Sequence, residues 1–475
     1  MMSKKGERMQ DHIFRKYDIR GKVYEELYPE QVYDFAQTFA YYILQKNPQA
    51  KTIVVGRDAR VHSESLYLSL TEGLLDAGFD VLSIGICPTP CMYFTLHTKP
   101  SDAGIMITAS HNGPEYNGFK MCYKTESIWG DEIQVLKQLF EQKKTHKSVN
   151  AGLLKEHSMN NAYIDYLVEQ FSVLTDMHIP GIIDCLNGAT ATIVPDLIQA
   201  MGWSQVKSIN DDLNGLFPQG QPDPVDDNRL VHLQSAIAQT QSQFGIAFDG
   251  DGDRMVPVTG SGKRIRGDQV IALFSESLLS SHKNGAIVFD TKCSQIVPEV
   301  IVASGGTAIM APTGHSIIKS YMHTYNALFG GELSCHFFFN DRYFGYDDGI
   351  YAMCRLLEHS LLTSRSLDQL LALIPSRFSS DELRIPCDPS IQPAVVMAVK
   401  DFFEQREDTE ISLLDGVRVV TPYGWALVRQ SHTQPLLSAR FEAKSPEHLR
   451  QLQNEIKELM LSFVDHEQIL KEFGE

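Results

Sequence analysis

Thr52-Ile-Val-Val-Gly-Arg-Asp58 is a β-branched run that closes on an acidic residue, and the residues after it decide the fold. Leu66, Leu70 and Leu74 recur at helical spacing, Gly78 ends them, and a second apolar run comes next, Val81-Leu82-Ser83-Ile84. Strand, helix, glycine and strand make a βαβ unit, whose strands run parallel and whose crossover is right-handed. The layout returns from Ile182-Ile183-Asp184 through Val194, Leu197 and Ile198 to Gly202. It returns again from Ile287-Val288-Phe289-Asp290 through Ile296 and Val300 to Gly305 and Ile309-Met310. Three α/β domains in series are therefore expected. The C-terminal stretch reads differently. Alternation around Trp425-Ala-Leu-Val-Arg429 and from Leu436 to Phe441 indicates strands without crossovers. Ser445-Pro446 then opens a helix as N-cap and N1, with Leu449, Leu452, Ile456, Leu459 and Phe463 on one face. The expected class is α/β, with three related βαβ domains over 1–160, 161–258 and 259–370 and a smaller α+β domain over 371–475.

A chain of 475 residues suits such a series. Its 43% hydrophobic and 21% charged residues are those of a globular protein able to bury cores. A net charge of −17 with no basic run argues against nucleic acid as partner. The eight cysteines form no C-x-x-C pair or zinc spacing and read as reduced thiols, which suggests the cytoplasm. Neither an apolar leader nor an 18-residue apolar stretch is visible, so no membrane partner is expected.

Ligands of open α/β sheets sit beyond the carboxyl ends of the strands, so the chemistry is sought in the loops after them. Asp249-Gly-Asp-Gly-Asp-Arg254 follows the apolar run Phe244-Gly-Ile-Ala-Phe248. Converging carboxylates repel unless a cation joins them, and the glycines let the backbone fold tightly enough for Asp249, Asp251 and Asp253 to reach one hard ion, for which magnesium fits best. An EF-hand is excluded, because Arg254 and Gly260 stand where that loop needs Gly and Glu. Thr108-Ala-Ser-His-Asn112 follows Gly104-Ile-Met-Ile107 and offers the hydroxyl of Ser110, with His111 beside it. Read alone, that loop is more often a helix cap than a reactive site. Asn117-Gly-Phe-Lys120 turns a lysine toward the same mouth, and Arg429-Gln-Ser-His-Thr433 supplies a guanidinium and two hydroxyls suited to a phosphate. Tyr17-Asp-Ile-Arg-Gly21, Lys292, Pro312-Thr-Gly-His315 and Gly330-Gly-Glu-Leu-Ser-Cys-His336 are bland singly.

Together and in this order these segments, with Gly56-Arg-Asp58, resemble the α-D-phosphohexomutase family, most closely its bacterial phosphomannomutase/phosphoglucomutase branch, over nearly the full chain. The resemblance implies four domains around a central cleft and reversible interconversion of hexose 1- and 6-phosphates through a phosphoserine and a 1,6-bisphosphate. It makes Ser110 the phosphoserine and Asp249, Asp251 and Asp253, with a phosphoserine oxygen, the holders of one Mg²⁺ per chain. It makes Lys120 and His315 proton-transfer groups, and Arg20 and Arg254 stabilisers of the phosphoryl group. Tyr17, Lys292, Glu332, Ser334 and His336 would meet the sugar, and Arg429, Ser431, His432 and Thr433 the phosphate that is not reacting. The implied partner is a small phosphosugar, with hexose 1,6-bisphosphate as activator, and the implied assembly a monomer or weak homodimer. The chain departs from the family pattern at His432, where Asn is usual, at Cys335, where Gly is usual, at Gln219-Gly-Gln221, and at Leu186 and Thr190. Alternatives are a phosphoglucosamine mutase, a non-catalytic sugar-phosphate binder and a metal-dependent phosphatase. Intact Ser110, Lys120 and aspartates weigh against the binder.

Overall fold

The computed structural model describes residues 9–431 and 435–473. The chain forms two compact units: residues up to Arg266 with Ser334–Leu371, and Gly267–Leu333 with the residues from Ala372 on.

In the first unit, strand Thr52–Arg57 lies between Asp80–Ile86 and Ala103–Ile107, parallel to both. Tyr116–Tyr123 and then Ile19–Lys22 extend the Ala103–Ile107 side antiparallel, so the sheet is mixed. Helix Ser63–Asp76 packs Leu66, Leu70 and Leu74 into the same core as Ile53, Val55 and Val81. Each fully buried leucine contributes about 1.5–3 kcal/mol. A second sheet runs Met255–Thr259, Phe244–Phe248, Gly181–Asp184, Val206–Ile209, the first pair antiparallel and the others parallel.

In the second unit, Thr307–Ala311, Ala286–Asp290 and Phe329–Gly331 run parallel in that order. A separate antiparallel sheet is built on Leu436–Ala443, Gly424–Gln430, Val417–Thr421 and Glu410–Ser412. Ser445 caps the helix Pro446–Met460 by accepting from the His448 amide at 3.2 Å. That helix buries Leu452, Ile456 and Met460, while Phe463, expected on its face, lies past its end and is partly exposed. Among the described residues no helix is long and apolar enough to cross a membrane.

The three repeats share one helix stop. Gly78, Gly202 and Gly305 all take positive φ (86°, 68° and 82°). Their amides donate to Leu75, Gln199 and Val302, and the following residues Phe79, Trp203 and Gly306 donate to Leu74, Ile198 and Ile301. This paired capping needs a left-handed residue after the helix, which glycine adopts without a Cβ clash. It turns the chain back into the parallel strand, so the first strand of each repeat ends at an open loop.

Candidate active site

Strand Ala103–Ile107 delivers Ser110 at its carboxyl end, and strand Phe244–Phe248 delivers the aspartate turn at its own. Gly252 has φ 75° and its amide donates to Asp249 O at 3.1 Å, folding the turn back into the antiparallel strand Met255–Thr259. Asp249, Asp251 and Asp253 are fully buried, with carboxylate oxygens within 4.8 Å of one another. Lys120 reaches them because the antiparallel pairing sets it opposite Met106, on the strand next to the serine's.

The contacts are short and mutual. Ser110 Oγ donates to Asp249 Oδ2 at 2.9 Å and lies 3.1 Å from His111 Nδ1. Arg254 Nη2 lies 3.4 Å from the same hydroxyl, and Arg254 Nε 3.5 Å from Asp249 Oδ2. Lys120 Nζ donates to Asp251 Oδ2 at 2.8 Å and also to Asp253 Oδ2. His336 Nε2 lies 3.4 Å from Asp253 Oδ1, and Ser334 Oγ 3.0 Å from His336 Nδ1. Arg20 donates to Asn112 Oδ1 in the serine loop and pairs with Asp18, and Tyr17 precedes its strand. Ser110 itself holds φ 50°, a left-handed conformation uncommon for a residue with a Cβ.

These groups polarise one another strongly. Burial first, then the charges of Asp253 and Asp251, push the Asp249 carboxyl well above the usual range. Burial acts likewise on Asp253, but Lys120 and His336 outweigh it and hold that carboxyl well below. Burial would lower Lys120, yet Asp251 and Asp253 keep its ammonium well above the ordinary lysine value. Asp251 Oδ1 is buried and accepts no hydrogen bond. Three converging carboxylates, with Asp253 Oδ1 as well as Asp251 Oδ1 buried and accepting no hydrogen bond, fit a hard divalent cation.

The second unit holds the other sequence-predicted residues. Asp290 ends its strand and accepts from Leu333 N and Thr313 Oγ1, both at 3.1 Å, which draws two loops together; burial pushes its carboxyl up to about 6. Glu332 Oε1 accepts from Gly314 N at 2.7 Å, tying the Glu332 loop to the start of helix His315–Tyr325. Lys292 Nζ lies 3.5 Å from Glu382 and is the main cause pulling that carboxyl down to about 2. Asp415 Oδ2 joins Arg429 Nε (2.9 Å) to Thr313 N (3.1 Å). Ser431 N donates to Leu436 O at 3.0 Å. His432 and Thr433 lie outside the described residues.

Two departures from the family pattern fall on demanding backbone. Cys335 and Leu186, both buried, sit at φ 68° and 44°. A left-handed conformation suits glycine better than a side chain, and costs about 1–3 kcal/mol when held by a non-glycine residue.

The sequence reading missed several residues here. Thr89 Oγ1 donates to Asp251 Oδ2 at 2.6 Å and its amide to Asp251 O at 2.8 Å. With Lys120 also on Oδ2, Thr89 fixes which carboxylate oxygen of Asp251 is spoken for and which is bare. Its place just after strand Asp80–Ile86 was the available signal, because strand-end loops carry sites. Asp347 gathers with Asp253 and His336, and Asp223 Oδ1 lies 3.5 Å from Arg254 Nη1. Thr89→Val keeps the shape and removes the hydroxyl; titration calorimetry with magnesium is expected to show affinity falling about 10-fold, as for other groups that orient metal ligands.

Family models of phosphoglucomutase/phosphomannomutase match four consecutive stretches: alpha/beta/alpha domain I at residues 11–147, domain II at 161–262, domain III at 266–378 and the C-terminal domain at 382–459. The phosphomannomutase/phosphoglucomutase of Pseudomonas aeruginosa is 35% identical over 440 residues, 93% of each chain. The phosphoglucomutase of Neisseria gonorrhoeae is 35% identical over 95% of this chain and 97% of its own. The solved structure of a Burkholderia thailandensis phosphoglucomutase/phosphomannomutase family protein superposes with a TM-score of 0.88 at 30% identity, covering 96% of this chain and 98% of that one. Agreement in sequence, in fold and in the order of four domains has one reading: the chain belongs to the phosphoglucomutase/phosphomannomutase family and is a phosphohexose mutase, an isomerase.

Proposed function

We propose that the protein interconverts hexose 1-phosphate and hexose 6-phosphate, with mannose and glucose as sugars, through a phosphoserine at Ser110 and a hexose 1,6-bisphosphate. The observation that carries this reading is the Ser110 hydroxyl, 2.9 Å from Asp249 and within reach of Arg254, in a buried cluster of opposed charges. Phosphoryl transfer rests on positioning and neutralisation, which is what these residues supply.

Asp249, Asp251 and Asp253 would hold one magnesium together with a phosphoserine oxygen. When bound, the ion supplies neutralising charge to the phosphoryl oxygens. Arg254, and Arg20 anchored by Asp18 and Asn112, face the remaining charge. In the first step the Ser110 Oγ–P bond breaks as a P–O bond forms to the free sugar hydroxyl, whose proton passes to a base. In the second step, after the bisphosphate has turned around, its other phosphoryl group returns to Oγ and the sugar oxygen regains a proton. Lys120 and His315 serve these proton movements. Tyr17, Lys292, Glu332, Ser334 and His336 hold ring hydroxyls in either orientation. Arg429, Ser431, His432 and Thr433 hold the phosphate that does not react. The protein works in the cytoplasm as a monomer or weak homodimer, and hexose 1,6-bisphosphate primes it.

Turnover of mannose 1-phosphate, glucose 1-phosphate and glucosamine 1-phosphate, each with magnesium and a trace of bisphosphate, tests the substrate. Faster conversion of the two neutral sugars is expected. Preference for the amino sugar would make the protein a phosphoglucosamine mutase, and inorganic phosphate as main product a phosphatase.

A further inference from the structure

Gly56-Arg-Asp58 leads into a residue that the reaction scheme leaves unused. Arg60 is 2% exposed, and its guanidinium is spent wholly on the serine loop and its anchor. Nε donates to Asp58 Oδ2 at 3.0 Å. Nη1 donates to Gly113 O at 2.5 Å and Tyr116 O at 3.1 Å. Nη2 donates to Ser110 O at 2.8 Å and Asn112 O at 2.7 Å. Five N–H groups thus meet five acceptors, four of them backbone carbonyls from 110 to 116, so this loop is wrapped around one buried cation.

Each part of the clamp is itself held. Asp58 Oδ1 accepts from Arg60 N at 3.1 Å and Ser63 Oγ at 2.7 Å, and Ser63 Oγ accepts from Asn117 Nδ2 at 2.9 Å. The Phe217 ring lies 5.0 Å from the guanidinium. On the far side, the Ser110 carbonyl packs so near Gly250 that a Cβ there would stand 2.5 Å from its oxygen. Ser110 N donates to Thr108 Oγ1 at 2.9 Å. The amide and carbonyl of Ser110 are therefore both fixed while its φ stays at 50°. Relaxing that peptide would swing Oγ off Asp249.

Resting on the phosphoserine reading above, we infer that Arg60 is the positioning residue of the phosphoryl carrier: it holds Ser110 in its left-handed conformation so that Oγ faces the aspartate cluster throughout the cycle. It spends every donor on protein and leaves none for substrate, so it acts through the backbone alone.

The test is Arg60→Lys, which keeps the charge but offers three donors in place of a planar fork of five. Rates are scaled to the active sites counted by phosphoryl uptake from hexose 1,6-bisphosphate. Per active site kcat is expected to fall about 100-fold, the effect of an ångström-scale misplacement. KM should move much less, and the ratio of inorganic phosphate released to sugar isomerised should rise as the loosened serine leaks to water. Should Arg60→Lys not fold, Asp58→Asn, which removes the charge of the Nε anchor and leaves the four carbonyl contacts of the guanidinium in place, is expected to shift kcat and the ratio in the same sense, by about 10-fold for kcat. A merely structural arginine would lower thermal stability and leave both quantities at wild-type values in whichever variant folds, which would overturn the inference. Mutase turnover in Ser110→Ala would instead remove the underlying reading, whatever the arginine variants do.

Discussion

Ser110→Ala is expected to stay folded and bind magnesium, yet turn over hexose phosphates at least about a thousandfold more slowly than wild type. The Oγ atom is the only hydroxyl placed by the described residues both 2.9 Å from Asp249 and 3.4 Å from Arg254. Removing it takes away the hydrogen bond to Asp249 and the longer contacts with His111 and Arg254, about 1 kcal/mol each, against a loss of the atom to which the phosphoryl group would be bonded. The asymmetry between a small change in stability and a very large one in rate separates a covalent carrier from a structural serine. Thermal unfolding, calorimetry and turnover on one preparation check all three expectations.

Lys120→Met is expected to produce the largest stability change at the site, and one that magnesium reverses. The ammonium bridges two buried carboxylates, so its removal leaves Asp251 and Asp253 without their main cation. Breaking a buried ion pair by deleting one partner costs about 3–5 kcal/mol, because the remaining charge stays desolvated. A cation bound by the aspartates restores the balance, and at a hundred times its dissociation constant contributes about 2.7 kcal/mol to the folded state. Denaturant melts with chelator should therefore show a deep loss for the variant, and melts with saturating magnesium should recover most of it. Loss of equal size in both conditions would mean that the lysine is packed into the fold and is not the cluster's counter-charge.

Much of this architecture was readable along the chain because it is local. Each βαβ repeat carries its own strand, its i, i+4 leucines or valines and its stop glycine, and the three stops form the same pair of hydrogen bonds. The aspartate turn was readable for the same reason: three aspartates lie within five positions, and the structure brings their carboxylates together in a cluster that could hold a metal ion. The contacts that escaped are long-range. Thr89 meets Asp251 across 162 positions of sequence, and Arg60 meets the serine loop across fifty or so. No spacing rule reaches that far, since such contacts arise only when segments distant in sequence are assembled, Thr52–Arg57 beside Ala103–Ile107 in one sheet for Arg60 and the ends of two separate sheets for Thr89. A threonine after a strand or a buried arginine looks ordinary until then. Local pattern also misjudged an end: Phe463 continues the apolar period of the C-terminal helix, but the helix stops at Met460, where the Phe463 and Val464 amides both turn back to the Met460 carbonyl.

The central claim is that Ser110 carries the phosphoryl group, and single-turnover transfer tests it most directly. Dephosphorylated protein mixed with magnesium and one equivalent of hexose 1,6-bisphosphate is quenched and mapped by peptide mass spectrometry, beside Ser110→Ala. The account predicts one phosphate on the peptide bearing Ser110, matched by hexose 1-phosphate and 6-phosphate in solution by phosphorus NMR, and neither with the variant. Isomerisation by wild type with no phosphate on that serine, or by Ser110→Ala at an undiminished rate, would contradict it.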